Sequence, residues 1–200
     1  MMRKFLATAA LAALSGAAFA DVWSEVGDAP ELLPGQITVG TGDLDEIDGE
    51  LFGFADLYCI RIVDEAQFSA TTVGGASFDT QLWLFDVNGF GVAFNDDSQS
   101  TLQSTLTSTF VNTNGIYFLG ISAYDYDADS AGGAIWLDGP FGAERAPDGP
   151  GAGGALSGWS GTSFADGPYK ILLKGASFHV PEPSALALLV LGGLAMVRRR

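Results

Sequence analysis

Short segments that alternate apolar and polar residues recur through the middle of the chain. The segment 169–174 places Tyr169, Ile171 and Leu173 on one face and its two lysines on the other. A repeat of two residues is typical of a β-strand with one buried face. Similar alternation predicts further strands at 57–63, 81–85, 91–94 and 116–121. No segment between residues 21 and 180 has helical periodicity, so the pattern predicts an all-β body.

Turn-forming dipeptides separate the predicted strands. Asn88-Gly89 lies before the segment 91–94, and Asn114-Gly115 comes directly before Ile116. Asn-Gly supplies the positive φ angles of a tight hairpin, so these positions predict antiparallel connections. Short strands at this spacing are typical of sandwiches and barrels. The predicted fold class is therefore an antiparallel β-sandwich, jelly-roll-like.

Two segments of the body lack this alternation. Residues 21–35 contain two prolines and are interpreted as a loop. Residues 139–161 are rich in Gly and Pro, which oppose a continuous ladder of hydrogen bonds. We interpret the second segment as a surface loop or arm, with Leu156 and Trp159 as candidates to pack back onto the sandwich.

The N-terminus has the three parts of a secretory signal peptide. Arg3 and Lys4 are basic, residues 5–14 are apolar, and Ala18 and Ala20 form an A-x-A cleavage site. The first 20 residues are therefore predicted to be a signal helix that is removed on export, which leaves a mature chain beginning at Asp21.

The C-terminus combines a polar motif, an apolar segment and a basic end. Two prolines around Glu182 fix two φ angles and remove two amide donors, which favours an extended, accessible segment. The apolar run 185–197 would span only about 20 Å as a helix, shorter than the ~20 residues of a usual membrane crossing. Arginines at its end favour the cytoplasmic side. The motif residues are Pro181, Glu182, Pro183, Arg198, Arg199 and Arg200.

This tail resembles the PEP-CTERM sorting signal of Gram-negative bacteria. The resemblance implies a single transmembrane helix in the precursor, recognition by an exosortase, and cleavage near Pro183. It also implies export through the inner membrane to the cell surface or the extracellular space, with a transient membrane anchor. Proteins with this signal are commonly associated with exopolysaccharide. The predicted divisions are a signal peptide (1–20), a β-sandwich domain (21–179) and a sorting signal (180–200).

Charge separates the body from the two ends. The chain has 24 acidic and nine basic residues, but five of the basic residues and one acid lie in the end segments. The body from 21 to 180 therefore holds 23 acids against four bases, a net charge of −19. Such a surface repels the phosphate backbone, so no nucleic-acid partner is expected. Cations or solvent are the expected counterparts.

Four sequence patterns of the body resemble a known family. A strand of the type D-x-Y-x-I is followed by D-T-x-L-x-L-F-D-x-N-G, then N-D-D, then G-x-Y-x-L-x-I. The corresponding residues are Asp56, Tyr58 and Ile60; Asp79, Thr80, Leu82, Leu84, Asp86 and Gly89; Asn95, Asp96 and Asp97; and Gly115, Tyr117, Leu119 and Ile121. They are similar to the bacterial pre-peptidase C-terminal-like β-sandwich, which implies a mostly non-catalytic domain that binds proteins, polymers or the cell envelope.

Clustered carboxylates are the candidates for a metal site. Ca²⁺ takes six to eight oxygen ligands, which loops with closely spaced Asp residues supply. The D-x-D-x-D run from Asp125 is not an EF-hand, because Trp136 stands where a bidentate Glu is required. One hypothesis is a calcium ion shared between adjacent loops; the other is a solvated acidic rim. The candidate ligands are Asp96, Asp97, Asp125 and Asp127.

Other side chains offer little chemistry. Cys59, the only cysteine, lies in an apolar strand, and His179, the only histidine, lies beside the sorting motif. Aromatic residues at strand spacing are expected in the core, whereas Trp23, Trp136 and Trp159 lie near loops and are expected to be more exposed. We therefore expect no enzyme, but a structural, adhesive or polysaccharide-binding protein. The alternatives are a polysaccharide hydrolase that uses two carboxylates, and a calcium-stabilised accessory domain.

Overall fold

The structure, a computed structural model, describes residues 21–98, 100–162 and 165–181. The predicted signal helix, with Ala18 and Ala20, lies outside the described residues, as does the predicted tail helix. Of the sorting motif, only Pro181 is described. The body is all-β: the described residues contain sixteen strands, one short 3₁₀ helix at Ser108–Phe110, and no α-helix.

The strands are numbered in chain order. The first eight are β1 (Val22–Ser24), β2 (Gln36–Ile37), β3 (Val39–Gly40), β4 (Glu46–Leu51), β5 (Ala55–Ile62), β6 (Ser69–Thr71), β7 (Thr80–Asp86) and β8 (Gly91–Asn95). The others are β9 (Thr105–Leu106), β10 (Gly115–Ala123), β11 (Tyr126–Ser130), β12 (Gly133–Ala134), β13 (Leu156–Gly161), β14 (Gly167–Lys174), β15 (Ala176–Phe178) and β16 (Val180–Pro181).

Two large sheets form the body. The first has the order β1-β4-β14-β6-β9, and the second has the order β15-β5-β10-β7-β8, with β2 also paired to β5. Side chains from both sheets meet in one buried cluster, so the sheets pack face to face. Strand β14 follows the alternation of apolar and polar residues in its sequence. Tyr169, Ile171 and Leu173 are buried in this cluster, while both of its lysines are exposed.

Antiparallel pairing predominates, and three short pairs depart from the predicted antiparallel arrangement. Strand β1 pairs in parallel with β4, β2 with β5, and β16 with β3. All three pairs involve strands of two or three residues and join segments that are distant in sequence. No hairpin turn fixes the direction of such pairs, because only adjacent antiparallel strands are joined by one.

A hairpin turn joins β7 to β8 at the predicted Asn-Gly position. Gly89 has a φ of +85°, which a side chain would disfavour. Asp86 Oδ1 accepts hydrogen bonds from the backbone amides of Asn88 and Phe90, at 2.8 and 3.0 Å. The turn is therefore held by a side chain as well as by glycine.

A third, small sheet of order β12-β11-β13 covers the outer face of the second large sheet. Leu57 and Cys59 of β5 pack with Ala128 of β11 and Leu156 of β13 in a second buried cluster. Strand β5 is thus buried on both faces, because Tyr58, Ile60 and Ile62 point into the main cluster. Its sequence is correspondingly apolar at nearly every position.

The segment 139–161 contributes to this cover and is not only a surface loop. Its last six residues form β13, Leu156 is buried, and Trp159 packs on the cluster with its Nε1 donating to the carbonyl of Glu31 at 2.8 Å. The expected exposure of Trp136 was wrong: it is 2 % exposed. Trp136 packs edge-on against Trp83 because the small sheet supplies it with a second apolar surface. Likewise, residues 21–35 are not all loop, since they include β1.

Candidate functional site

Acidic residues come together at one edge of the second large sheet, the one formed by the start of β7 and the ends of β8 and β10. Asp79 directly precedes β7, and Asp96 directly follows β8, its antiparallel neighbour. Strand β10 ends at the same edge, because Ala123 lies opposite Thr80. The next amide, that of Tyr124, donates to the carbonyl of Asp79 at 3.1 Å. The three strand ends therefore bring separate acidic loops together.

The first acidic triplet is Asp79, Asp96 and Asp97, each with a carboxylate oxygen within 4.8 Å of the others. Asp96 is only 2 % exposed. Burial, reinforced by the charge of Asp97, raises the pKa of Asp96 to about 8 and that of Asp79 to about 6. Ionising the whole triplet therefore carries a high energetic cost.

The second acidic triplet is Asp125, Asp127 and Asp138, with the same 4.8 Å limit between carboxylate oxygens. Gln81 Nε2 donates to Asp127 Oδ1 at 3.1 Å. Burial raises the pKa of Asp127 to about 6 despite this hydrogen bond. Both Asp127 and Asp138 also act electrostatically on Asp96, so the two triplets are neighbours.

The four predicted ligands lie at this edge, but the structure divides them between the two triplets. Asp96 and Asp97 belong to the first, Asp125 and Asp127 to the second. Sequence reasoning missed Asp79 and Asp138 as members. The position of Asp79, directly before a clear strand, was a usable signal once β7 and β8 were taken as a hairpin. Asp138 had no such signal, since its position depends on the small sheet.

A third group of acids lies where the segment after β1 meets the start of β5. Glu25, Asp28 and Asp56 have carboxylate oxygens within 4.8 Å of one another. Glu25 and Asp28 also line a surface cavity of about 470 Å³ with Asp48, Glu50, Phe52 and Pro168. Both carboxylate oxygens of Glu25 accept backbone amides, from Ala29 at 2.7 Å and Glu50 at 2.8 Å. Glu25 thus fastens the leading segment to β4.

Asp56 belongs to a buried polar chain. Tyr169 donates to Asp56 Oδ2 at 2.6 Å, and the hydroxyls of Tyr58 and Tyr169 are 2.5 Å apart. Burial raises the pKa of Asp56 to about 8, although the hydrogen bond from Tyr169 lowers it. This carboxyl is engaged inside the core and is closed to a substrate.

The Cys59 thiol is buried in the second apolar cluster. Cys59 is 4 % exposed, and burial raises the pKa of its thiol to about 11. A thiol of this kind stays protonated and inert. The backbone amide of His179 donates to Thr38 Oγ1 at 3.0 Å. This hydrogen bond joins the end of the body to the residue between β2 and β3.

The sorting motif begins where the described body ends. Pro181 in β16 pairs with Gly40 of β3, and a proline is tolerated in such a short edge strand. A family model described as the PEP-CTERM protein-sorting motif matches residues 179–200.

The chain carries a PEP-CTERM sorting motif. Such a motif implies a secreted surface protein that passes through a membrane-anchored precursor and is processed by an exosortase. No curated protein and no solved structure matched the chain. In the part of the chain that the structure describes, no helix is long and apolar enough to cross a membrane.

Proposed function

We propose that the mature protein is a non-catalytic β-sandwich of the cell surface or extracellular matrix, with a structural, adhesive or polymer-binding role. The PEP-CTERM motif at residues 179–200 is the observation that carries the proposal. The motif determines the route of export, and the acidic body is the part of the protein that is displayed after export. Removal of residues 1–20 by a signal peptidase belongs to the same proposal.

The body is further proposed to be a jelly roll related to the pre-peptidase C-terminal-like domains. Strand order supports this: β4, β14, β6 and β9 lie side by side in one sheet, and β5, β10, β7 and β8 in the other. Along the chain these eight strands pass between the sheets in the sequence of two Greek keys. Fold alone does not identify a ligand.

We propose that the body is not catalytic, because the carboxyl groups of Asp56 and Glu25 are already engaged in structural hydrogen bonds. A glycoside hydrolase needs an acid with a raised pKa beside a second carboxylate, both facing a cleft. Asp56 has the raised pKa but is 1 % exposed and bonded to Tyr169. Glu25 borders the 470 Å³ cavity, yet both its oxygens accept backbone amides. These contacts favour a structural role for both residues.

The hydrolase remains the second candidate, because the cavity is lined by four carboxylates: Glu25, Asp28, Asp48 and Glu50. Incubating the exported protein with acidic and neutral bacterial polysaccharides separates the two functions. Binding without release of reducing ends supports the proposal. Release of reducing ends that is lost in Asp28→Asn, but not in Asp166→Asn at an exposed site, would replace it with the hydrolase.

Localisation tests the sorting step itself. In Glu182→Ala/Pro183→Ala, the motif is lost while every described residue is retained. We expect this variant to accumulate in the membrane fraction and to disappear from the surface. Asp166→Ala, a substitution at an exposed position of the body, is the matched control and should be displayed normally.

A further inference from the structure

Two carboxylate oxygens of the first acidic triplet are buried without a hydrogen bond. Asp79 Oδ1 and Asp96 Oδ1 find no donor among the described residues. Asp96 itself is 98 % buried. Buried polar atoms are nearly always paired, so two unpaired oxygens side by side indicate that a ligand completes the site. The ligand must bring positive charge, because all three neighbouring groups are carboxylates.

We propose that Asp79, Asp96 and Asp97 bind one Ca²⁺ ion at the edge where β7 begins and β8 ends. Oxygen-only donors select hard cations, whereas sites for zinc or copper use His or Cys. No His or Cys belongs to this triplet. Ca²⁺ is favoured over Mg²⁺ because irregular loop ligands suit its flexible coordination, while Mg²⁺ demands a near-ideal octahedron.

The negative charges of the second triplet favour a cation at the first triplet without binding it themselves. Asp127 and Asp138 of the second triplet lie near enough to raise the pKa of Asp96 further. Their negative potential attracts a cation to the triplet. Asp127 is already held by Gln81, so its hydrogen-bonding capacity is partly used. The proposal therefore places the ion on the first triplet, where unpaired oxygens exist.

The ion would join the start of β7 to the end of β8, beside the point where the loop 137–148 attaches. Asp97 donates its amide to the carbonyl of Phe141 at 3.2 Å, and Phe94 and Arg145 exchange two backbone hydrogen bonds at 2.8 and 3.0 Å. Neutralising the triplet would thus stabilise the attachment of the loop 137–148 to β8. This role is independent of the sorting motif and does not rest on the proposed function.

Calorimetric titration of the exported protein with CaCl₂ tests the proposal. We expect one site and a rise in melting temperature that MgCl₂ reproduces only weakly. Asp96→Asn and Asp97→Asn should each lower the affinity at least tenfold. Asp166→Asn should bind like the wild type.

Either of two results would overturn the site. One is the absence of heat and of a melting shift in the wild type at about 10 mM CaCl₂, above the range of weak extracellular calcium modules. The other is wild-type affinity in Asp97→Asn. Asp97 is only half-buried, so this variant is expected to fold even if Asp96→Asn does not.

Discussion

Tyr169 of β14 donates a hydrogen bond to Asp56 of β5 at 2.6 Å, across the core between the two large sheets. Tyr58 extends the contact, with its hydroxyl 2.5 Å from that of Tyr169. All three residues are at most 1 % exposed. A polar chain of this kind links the two sheets through groups that are buried away from water.

Removing one hydroxyl from this chain should destabilise the body. Tyr169→Phe leaves Asp56 without its donor, at a cost of about 1–3 kcal/mol in the free energy of unfolding. Guanidinium denaturation followed by tryptophan fluorescence measures the change. Tyr124→Phe is the control, because that ring is 38 % exposed. Equal stability of Tyr169→Phe and the wild type would show that the chain contributes nothing.

The ion-free body should lose stability as the pH rises from about 4 to about 8. Burial raises the pKa of both Asp56 and Asp96 to about 8, so the folded state keeps protons that the unfolded state releases near its ordinary value of 3.8. The unfolded state then binds fewer protons, and the free energy of unfolding falls with pH. Asp79 and Asp127, with pKa values raised to about 6, act in the same direction.

Denaturation midpoints at pH 5 and pH 8 in EDTA measure this effect. The midpoint should be lower at pH 8, and the difference should shrink in Asp56→Asn/Asp96→Asn, whose side chains do not titrate. A midpoint that is higher at pH 8 would mean that these carboxyls are ionised and stabilised in the fold.

The small sheet should depend on Trp159. Its ring lies edge-on to Trp83, with centroids 5.6 Å apart, and its Nε1 donates to Glu31. Trp159→Ala should cost about 2–3 kcal/mol, below the 3–5 typical of a fully buried aromatic residue, because Trp159 is only partly buried. It should also speed proteolysis within 139–155. Trp159→Phe keeps most of the packing and should lose less stability. Equal cleavage rates in the wild type and both variants would show that Trp159 does not hold the small sheet in place.

The sequence predicts those parts of the fold in which a single face is buried. Strand β14 follows its alternation residue by residue, and the Asn88-Gly89 turn forms where expected. The small sheet was not predicted as a layer. Leu156 was a candidate to pack back onto the sandwich, but Trp136 becomes buried only because a third layer covers β5. The acidic edge was half predicted: Asp96, Asp97, Asp125 and Asp127 are local runs, whereas Asp79 and Asp138 join them through strand register and tertiary packing.

The PEP-CTERM motif implies that an exosortase sorts this protein to the cell surface. The most direct measurement of sorting is the fraction of the protein degraded by protease added to intact cells, in the parent strain and in an exosortase deletion. We expect a protected, membrane-associated precursor in the deletion and accessible protein in the parent. Equal accessibility in the two strains would contradict it.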